Sequence, residues 1–174
     1  MNKKHTLWIE KYRSQTLNEY IGNDAVKSRI TTCLTNNDIP HFLFVGTAGT
    51  GKTTLAKLLV NNLNCTYLYI NASDENGIDI IRDKVKAFAI ASSFKPLKVV
   101  ILDEADFLTQ PAQAALRNLI EEYSLNTRFI LTCNYIERLI EPLQSRCEIH
   151  ILKPPSKGDV ARHICTNILE VEGV

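Results

Sequence analysis

Five short apolar runs recur along the chain: HFLFV (41–45), TYLYI (66–70), KVVILD (98–103), RFILTC (128–133) and EIHIL (148–152). They are rich in Val, Ile, Phe and Tyr, and several are apolar throughout rather than alternating. Strands of that kind are buried on both faces, the mark of a parallel sheet covered by helices. Segments with helical spacing of apolar positions lie between and around them, at 23–36, 52–63, 77–90, 111–123 and 136–143. Those after the first run join consecutive strands, as right-handed crossovers require. The pattern predicts an α/β fold with a five-stranded parallel sheet flanked by helices. After LKPPSKGD, Pro154 and Pro155 interrupt it, and Ser156 or Lys157 opens a further helix with no strand after it. The expected organisation is a core over 1–152 and the beginning of a helical lid over 153–174.

The strongest chemical signal follows the first strand. GTAGTGKTT (46–54) contains G-x-x-x-x-G-K-[ST] between a predicted strand and the helix it opens. Gly46, Thr47, Ala48, Gly49, Thr50 and Gly51 turn backbone N–H groups toward phosphate oxygens, with Thr54 in the first helical turn behind them. Lys52 is suited to the β- and γ-phosphates, Thr53 offers a hydroxyl to Mg²⁺, and the helix dipole adds positive potential. The loop therefore predicts a P-loop nucleotide site for ATP and Mg²⁺. A glycine turn that merely reverses the chain needs neither the lysine nor the threonine.

KVVILDEAD places Asp103 at the carboxyl end of a strand, where open α/β sheets bind ligands. Asp103 suits a role in holding Mg²⁺, and Glu104 suits orienting or deprotonating a water. An Asp-Glu pair also caps helices, so that reading stands beside the chemical one. Asp106 has no assigned chemistry and reads as a solvated or capping residue. RFILTC delivers Thr132 and Asn134 to the same edge; Asn134 fits a contact to the γ-phosphate or its water, and equally fits a turn.

Composition narrows the class without choosing a partner. The chain has 174 residues, 45% of them hydrophobic and 22% charged, enough for one compact core. Its net charge of +1 gives no overall basic footprint, so any nucleic-acid surface is local. The five cysteines, at 33, 65, 133, 147 and 165, include no CxxC pair, which argues for reduced, mostly buried thiols rather than a zinc site or disulfide framework. No run reaches the ~18 apolar residues of a membrane span. The opening MNKKHTLWIEKYRS lacks the apolar stretch of a signal peptide. The expectation is a cytoplasmic or nuclear protein with no membrane partner.

Phosphate loop, Asp-Glu strand, terminal Asn134 and the SRC of 145–147, in that order, resemble the AAA+ ATPases. Within them, LWIEKYRSQTLNEYIGND, YINASDENGIDIIRDKV and AQAALRNLIEEYSLNTRFILTCNYIERLIEPLQSRC are similar to the small ATPase subunits of sliding-clamp loaders, the replication factor C type. The resemblance runs nearly the whole length and fits a cellular or a viral or phage source alike. It implies an ATP-binding and ATP-hydrolysing subunit, active in a hetero-oligomeric ring or arc with other loader subunits, that loads a sliding clamp onto primer–template DNA. It implies nucleotide contact for Tyr12 and Arg13 with Ile21 and Gly22 beside the base, a γ-phosphate sensor in Asn134, and an arginine finger in Arg146 serving a neighbouring subunit. Without it, Trp8 and Tyr12 read as core aromatics, and for Trp8 that reading stays. Arg146 has the chemistry of a finger, since arginine stays charged and its planar fork matches phosphate oxygens; an ion pair at the sheet edge is the bland alternative.

By the same resemblance Arg82 leads the candidate DNA-backbone contacts, followed by Lys86 and Thr109. Arg82 and Lys86, four residues apart, also read as one solvated helix face, and Thr109 before Gln110 and Pro111 as a helix cap. Two positions depart from the family's pattern: Ser14 stands where a proline is usual, and Asn76 where a basic residue is often found. Family members continue through a lid with a second sensing arginine and a collar, which this sequence does not include. Two rival readings remain: another oligomeric AAA+ machine, such as a Holliday-junction motor or an initiator-type loader, and a non-hydrolysing subunit that lends only its arginine. Intact Lys52, Thr53, Asp103 and Glu104 argue against the second.

Overall fold

The computed structural model describes Tyr12 and residues 14–169. Trp8 and Arg13 lie outside the described residues. The order is α1 (Asp24–Asn36), β1 (Phe42–Val45), α2 (Lys52–Asn62), β2 (Cys65–Asn71), α3 (Ile78–Ile90), β3 (Leu97–Asp103), α4 (Gln110–Tyr123), β4 (Thr127–Cys133), α5 (Glu141–Gln144), β5 (Glu148–Ile151) and α6 (Lys157–Ile164). Short 3₁₀ turns occupy Ala105–Phe107 and Ile136–Arg138, and a π turn, Cys165–Leu169, follows α6.

The strands form one parallel sheet in the order β2-β3-β4-β1-β5. Burial follows that order. The inner strands β1 and β3 are buried at every position, whereas the edge strands are not: β2 exposes Thr66, Tyr67 and Tyr69, and β5 exposes every second side chain. Alternation of side chains across each strand divides the core between the two faces. Phe42, Phe44, Val99, Ile101 and Ile130 pack with α1 and α2 residues such as Ile30, Leu55 and Leu59. Leu43, Val45, Val100, Leu102, Phe129 and Leu131 pack with Ile81 and Val85 of α3 and Leu116 and Ile120 of α4. Each such side chain contributes about 1.5–3 kcal/mol of burial free energy, which makes the sheet a rigid platform for what leaves its ends.

Side chains close three of the helix ends. Thr109 caps α4 by accepting from Ala112 N at 3.4 Å, with Pro111 in the first turn, and Ser156 caps α6 by accepting from Asp159 N at 3.1 Å. Lys98, only 8% exposed, points its ammonium at the carbonyls of Phe88 (3.1 Å), Ala89 (2.6 Å) and Ala91, closing the C-terminus of α3.

The single helix expected over 136–143 is not formed. Leu139 and Ile140 are extended, with ψ of 137° and 139°, and separate a 3₁₀ turn from the four-residue α5. The cause is tertiary: the buried Gln113 amide donates to Arg138 O at 3.0 Å and accepts from Ile140 N at 2.8 Å, which holds this stretch open. No residue of α6 is buried, and the Asn23 amide ties its approach to the core through Lys153 O (3.1 Å) and Lys153 N (2.9 Å). Among the described residues no helix is long and apolar enough to cross a membrane.

Candidate nucleotide site

The phosphate-loop residues 46–51 link β1 to α2, with Gly46 N donating to Cys133 O of β4 at 3.2 Å. Gly51, at the start of α2, has φ of +87°, and a Cβ there would lie 2.8 Å from the Tyr20 ring, so only glycine fits. A Cβ on Gly46 would meet Leu152 O at 2.7 Å. Lys52 is 8% exposed and folds back over the loop, donating to Gly46 O (2.7 Å), Thr47 O (2.9 Å) and Asn134 Oδ1 (2.8 Å). Burial pulls the pKa of its ammonium below the ordinary lysine value, against the upward pull of Cys133, Asp103 and neighbouring acids.

Because β4 lies between β1 and β3, Asn134 leaves the sheet between the phosphate loop and Asp103. Among the described residues Asp103, 5% exposed, accepts from hydroxyls: Thr53 Oγ1 at 2.9 Å to each oxygen, Thr132 Oγ1 at 2.6 Å to Oδ1, and Tyr69 OH at 2.7 Å to Oδ2. Its carboxylate therefore does not cap the following turn. Glu104 takes a left-handed backbone (φ 56°) uncommon for a residue with a side chain, makes no side-chain cap bond, and anchors its N–H on Thr132 Oγ1 at 3.0 Å.

The donor set fits a hard cation alongside phosphates. Thr53 and Asp103 present oxygen ligands side by side. No group of three or more His, Cys, Asp or Glu that could hold an ion exists among the described residues. A metal here would therefore complete its shell with water and phosphate oxygens, the usual habit of Mg²⁺.

Beside the loop, Tyr12, Ser14, Tyr20 and Ile21 share a cleft of about 300 Å³ with Gly49, Thr50, Gly51 and Thr54, and Pro155 and His163 also line it. Tyr20 OH donates to Thr50 O at 3.0 Å, and burial pushes its phenol up to about 12. Gly22 does not line this cleft; it lies against Pro155 and borders an adjoining depression with Asp159 and Arg162. Sequence reasoning missed Tyr20, Pro155 and His163, because their nearness to the loop depends on long-range folding. It also missed Asp106, which is 6% exposed, not solvated. The Asp106 Oδ2 accepts from Asn134 N (3.3 Å) and Tyr135 N (3.2 Å) and sets the exit of β4. Its place three residues after Asp103 was the available signal.

The remaining predicted residues stand apart. Arg146 lies between α5 and β5, its Nε donating to Glu121 Oε1 at 2.7 Å and its other nitrogens meeting Glu121 and Pro142 O. Since Phe42 pairs with Glu148 and Val45 with Ile151, Arg146 sits at the amino end of the sheet, opposite the phosphate loop. Arg82 and Lys86 line a shallow cleft of about 230 Å³ with Asn118 and Glu122, and Asp79 lies 3.9 Å from Arg82. Thr109 uses its hydroxyl as the α4 cap and donates to Asn76 O at 3.3 Å.

Residues 42–155 match the model of the ATPase family associated with various cellular activities, AAA. The chain is similar to the replication factor C small subunit of Archaeoglobus fulgidus, 46% identical over 97% of this chain and 54% of that protein. It is likewise similar to those of Sulfolobus acidocaldarius (46%, over 93% and 52%) and Staphylothermus marinus (48%, over 88% and 49%). It spans about half the length of these curated relatives. Among solved structures, the RuvB Holliday junction branch migration motor of Thermotoga maritima superposes with a TM-score of 0.75 over 94% of this chain and 55% of that one. At 21% identity that likeness is one of fold.

Proposed function

Because the chain belongs to the AAA family of ATPases and, within it, to the replication factor C small subunits, we propose that it is the Mg²⁺-dependent ATP-hydrolysing part of a clamp-loader subunit. In this reading it works with other loader subunits to open a sliding clamp and load it onto primer–template DNA inside the cell. Residues 1–152 form its ATPase core and 153–174 the start of a lid. The observation that carries it is the meeting of Lys52, Thr53, Asp103, Glu104 and Asn134 at the carboxyl ends of three adjacent strands, β1, β4 and β3.

The chain's groups then divide the work. The loop from Gly46 to Gly51 and the α2 N-terminus bind the phosphates through backbone N–H groups. Lys52 exchanges its contacts to Gly46 O, Thr47 O and Asn134 for phosphate oxygens. Thr53 and Asp103 hold Mg²⁺, which neutralises charge on the phosphates when bound. Glu104 orients and deprotonates the attacking water, and Asn134 hydrogen-bonds the γ-phosphate or that water. Tyr12, Arg13 and Ile21 serve the base, with Gly22 behind them. Arg146 acts as an arginine finger on a neighbouring subunit's ATP, which its position opposite its own phosphate loop supports. Arg82 and Lys86, with Thr109 third, contact the DNA backbone.

The test is ATPase measurement on the full-length assembly with clamp and primed DNA. Glu104→Gln should keep nucleotide binding while losing turnover by about 10²–10⁴-fold, and Arg146→Ala should lower the stimulated rate by roughly a thousandfold or more. An unchanged rate in Arg146→Ala would remove the finger, and the absence of clamp stimulation would favour a different AAA machine.

A further inference from the structure

The edge strand β2 brings to the site a side chain that no motif predicts. In the β2–β3 register Tyr69 faces Ile101 and Asn71 faces Asp103, so Tyr69 is the diagonal neighbour of Asp103 and on the same face of the sheet. Its hydroxyl donates to Asp103 Oδ2 at 2.7 Å. Its ring is held from above by Lys57, whose ammonium lies 4.9 Å from the ring centroid. Lys57 follows Thr53 by four residues, one turn along the same face of α2. The tyrosine thus spans from the phosphate-loop helix to the acid at the end of β3, on the flank where Thr53 and Asp103 meet.

The terminal torsion of an aspartate is soft and roughly two-fold, so a single anchor leaves the carboxylate free to swing. Thr132 is fully buried and secures Oδ1 at 2.6 Å. Thr53 is shared between both oxygens at 2.9 Å, and its oxygen is the atom offered to a cation. The donor assigned to Oδ2 alone is Tyr69. We propose that Tyr69 is a positioning residue for the Mg²⁺ complex: its hydroxyl, bonded to Asp103 Oδ2, fixes the carboxylate plane in the orientation that receives the Mg²⁺–nucleotide.

This rests on the nucleotide-site reading above, and the experiment separates the two. Binding of a fluorescent ATP analogue to the 174-residue chain is followed during Mg²⁺ titration and again in EDTA, for wild type, Tyr69→Phe, Tyr69→Leu and Lys52→Ala. Tyr69→Phe keeps the ring and its lysine contact and removes the hydroxyl. It should raise the Mg²⁺ half-saturation about tenfold, the scale of outer-shell partners, and leave affinity in EDTA unchanged. Tyr69→Leu should add little to that shift. An unchanged or lower Mg²⁺ requirement in Tyr69→Phe overturns the proposal. So does an equal loss with and without Mg²⁺, or an effect confined to Tyr69→Leu, since either describes a packing wall. Failure of wild type to bind, or Lys52→Ala binding as well as wild type, overturns the nucleotide site and this inference with it.

Discussion

Gln113 looks out of place on the buried side of α4, among Ala112, Leu116 and Ile120. It is 1% exposed, and its side-chain bonds go to backbone: Nε2 donates to Leu108 O (3.1 Å) and Arg138 O (3.0 Å), and Oε1 accepts from Ile140 N (2.8 Å). These groups belong to the loops that leave β3 and β4, so one side chain joins the segment after Glu104 to the segment after Asn134. Replacing it with Leu removes the partner of three backbone groups, one of these bonds buried and two part-buried, and an unmade bond away from water is costly. Gln113→Leu should lose about 2–4 kcal/mol of stability by urea titration. A loss within error would mean that water or a shifted loop satisfies those groups.

Among the elements, the edge strand β5 is tied to α1 by a bidentate pair, Arg29 Nε and Nη2 each 2.8 Å from Glu148, with His150 Nε2 at 2.9 Å from the same carboxylate. The hydrogen bonds from Arg29 hold the Glu148 pKa below the ordinary glutamate value. A carboxyl depressed in the folded state contributes stability that is present above its unfolded pKa and disappears as pH falls through the folded one. Glu148→Gln should therefore melt below wild type near about pH 7, and the gap should narrow once pH drops below about 4. A gap independent of pH would assign the difference to packing. Both partners are partly exposed, so the effect should also shrink in high salt.

For the whole molecule, the parallel register decides what one chain is able to do alone. Arg146 and the phosphate loop lie at opposite ends of β5 and β1, on the order of 15 Å apart along the strands by the rise per residue, and Arg146 rests on Glu121 of its own chain. The 174-residue chain should therefore be monomeric, bind nucleotide weakly and turn over little ATP; gel filtration and a steady-state ATPase assay check this. Robust turnover by a monomer would contradict an arginine acting between subunits. Pro155 and His163 also line the cleft beside the loop, so its shape depends on the position of α6.

How much of this was legible in order along the chain follows from the range of each interaction. Apolar period and the glycine-lysine-threonine loop are local properties, because backbone geometry and side-chain alternation repeat over a few residues. They located five strands within a residue or two, the phosphate loop, Asp103, Glu104 and Asn134. The order β2-β3-β4-β1-β5, the insertion of Asn134 between loop and acid, and the interruption at Leu139 and Ile140 arise from pairings between distant segments. The same holds for Tyr20 under Gly51, Asp106 on the Asn134 amide and Tyr69 on Asp103, where contacts cross 28 to 34 residues. Local spacing picked out the candidate groups; strand register, set by packing of the two cores, specified which of them touch.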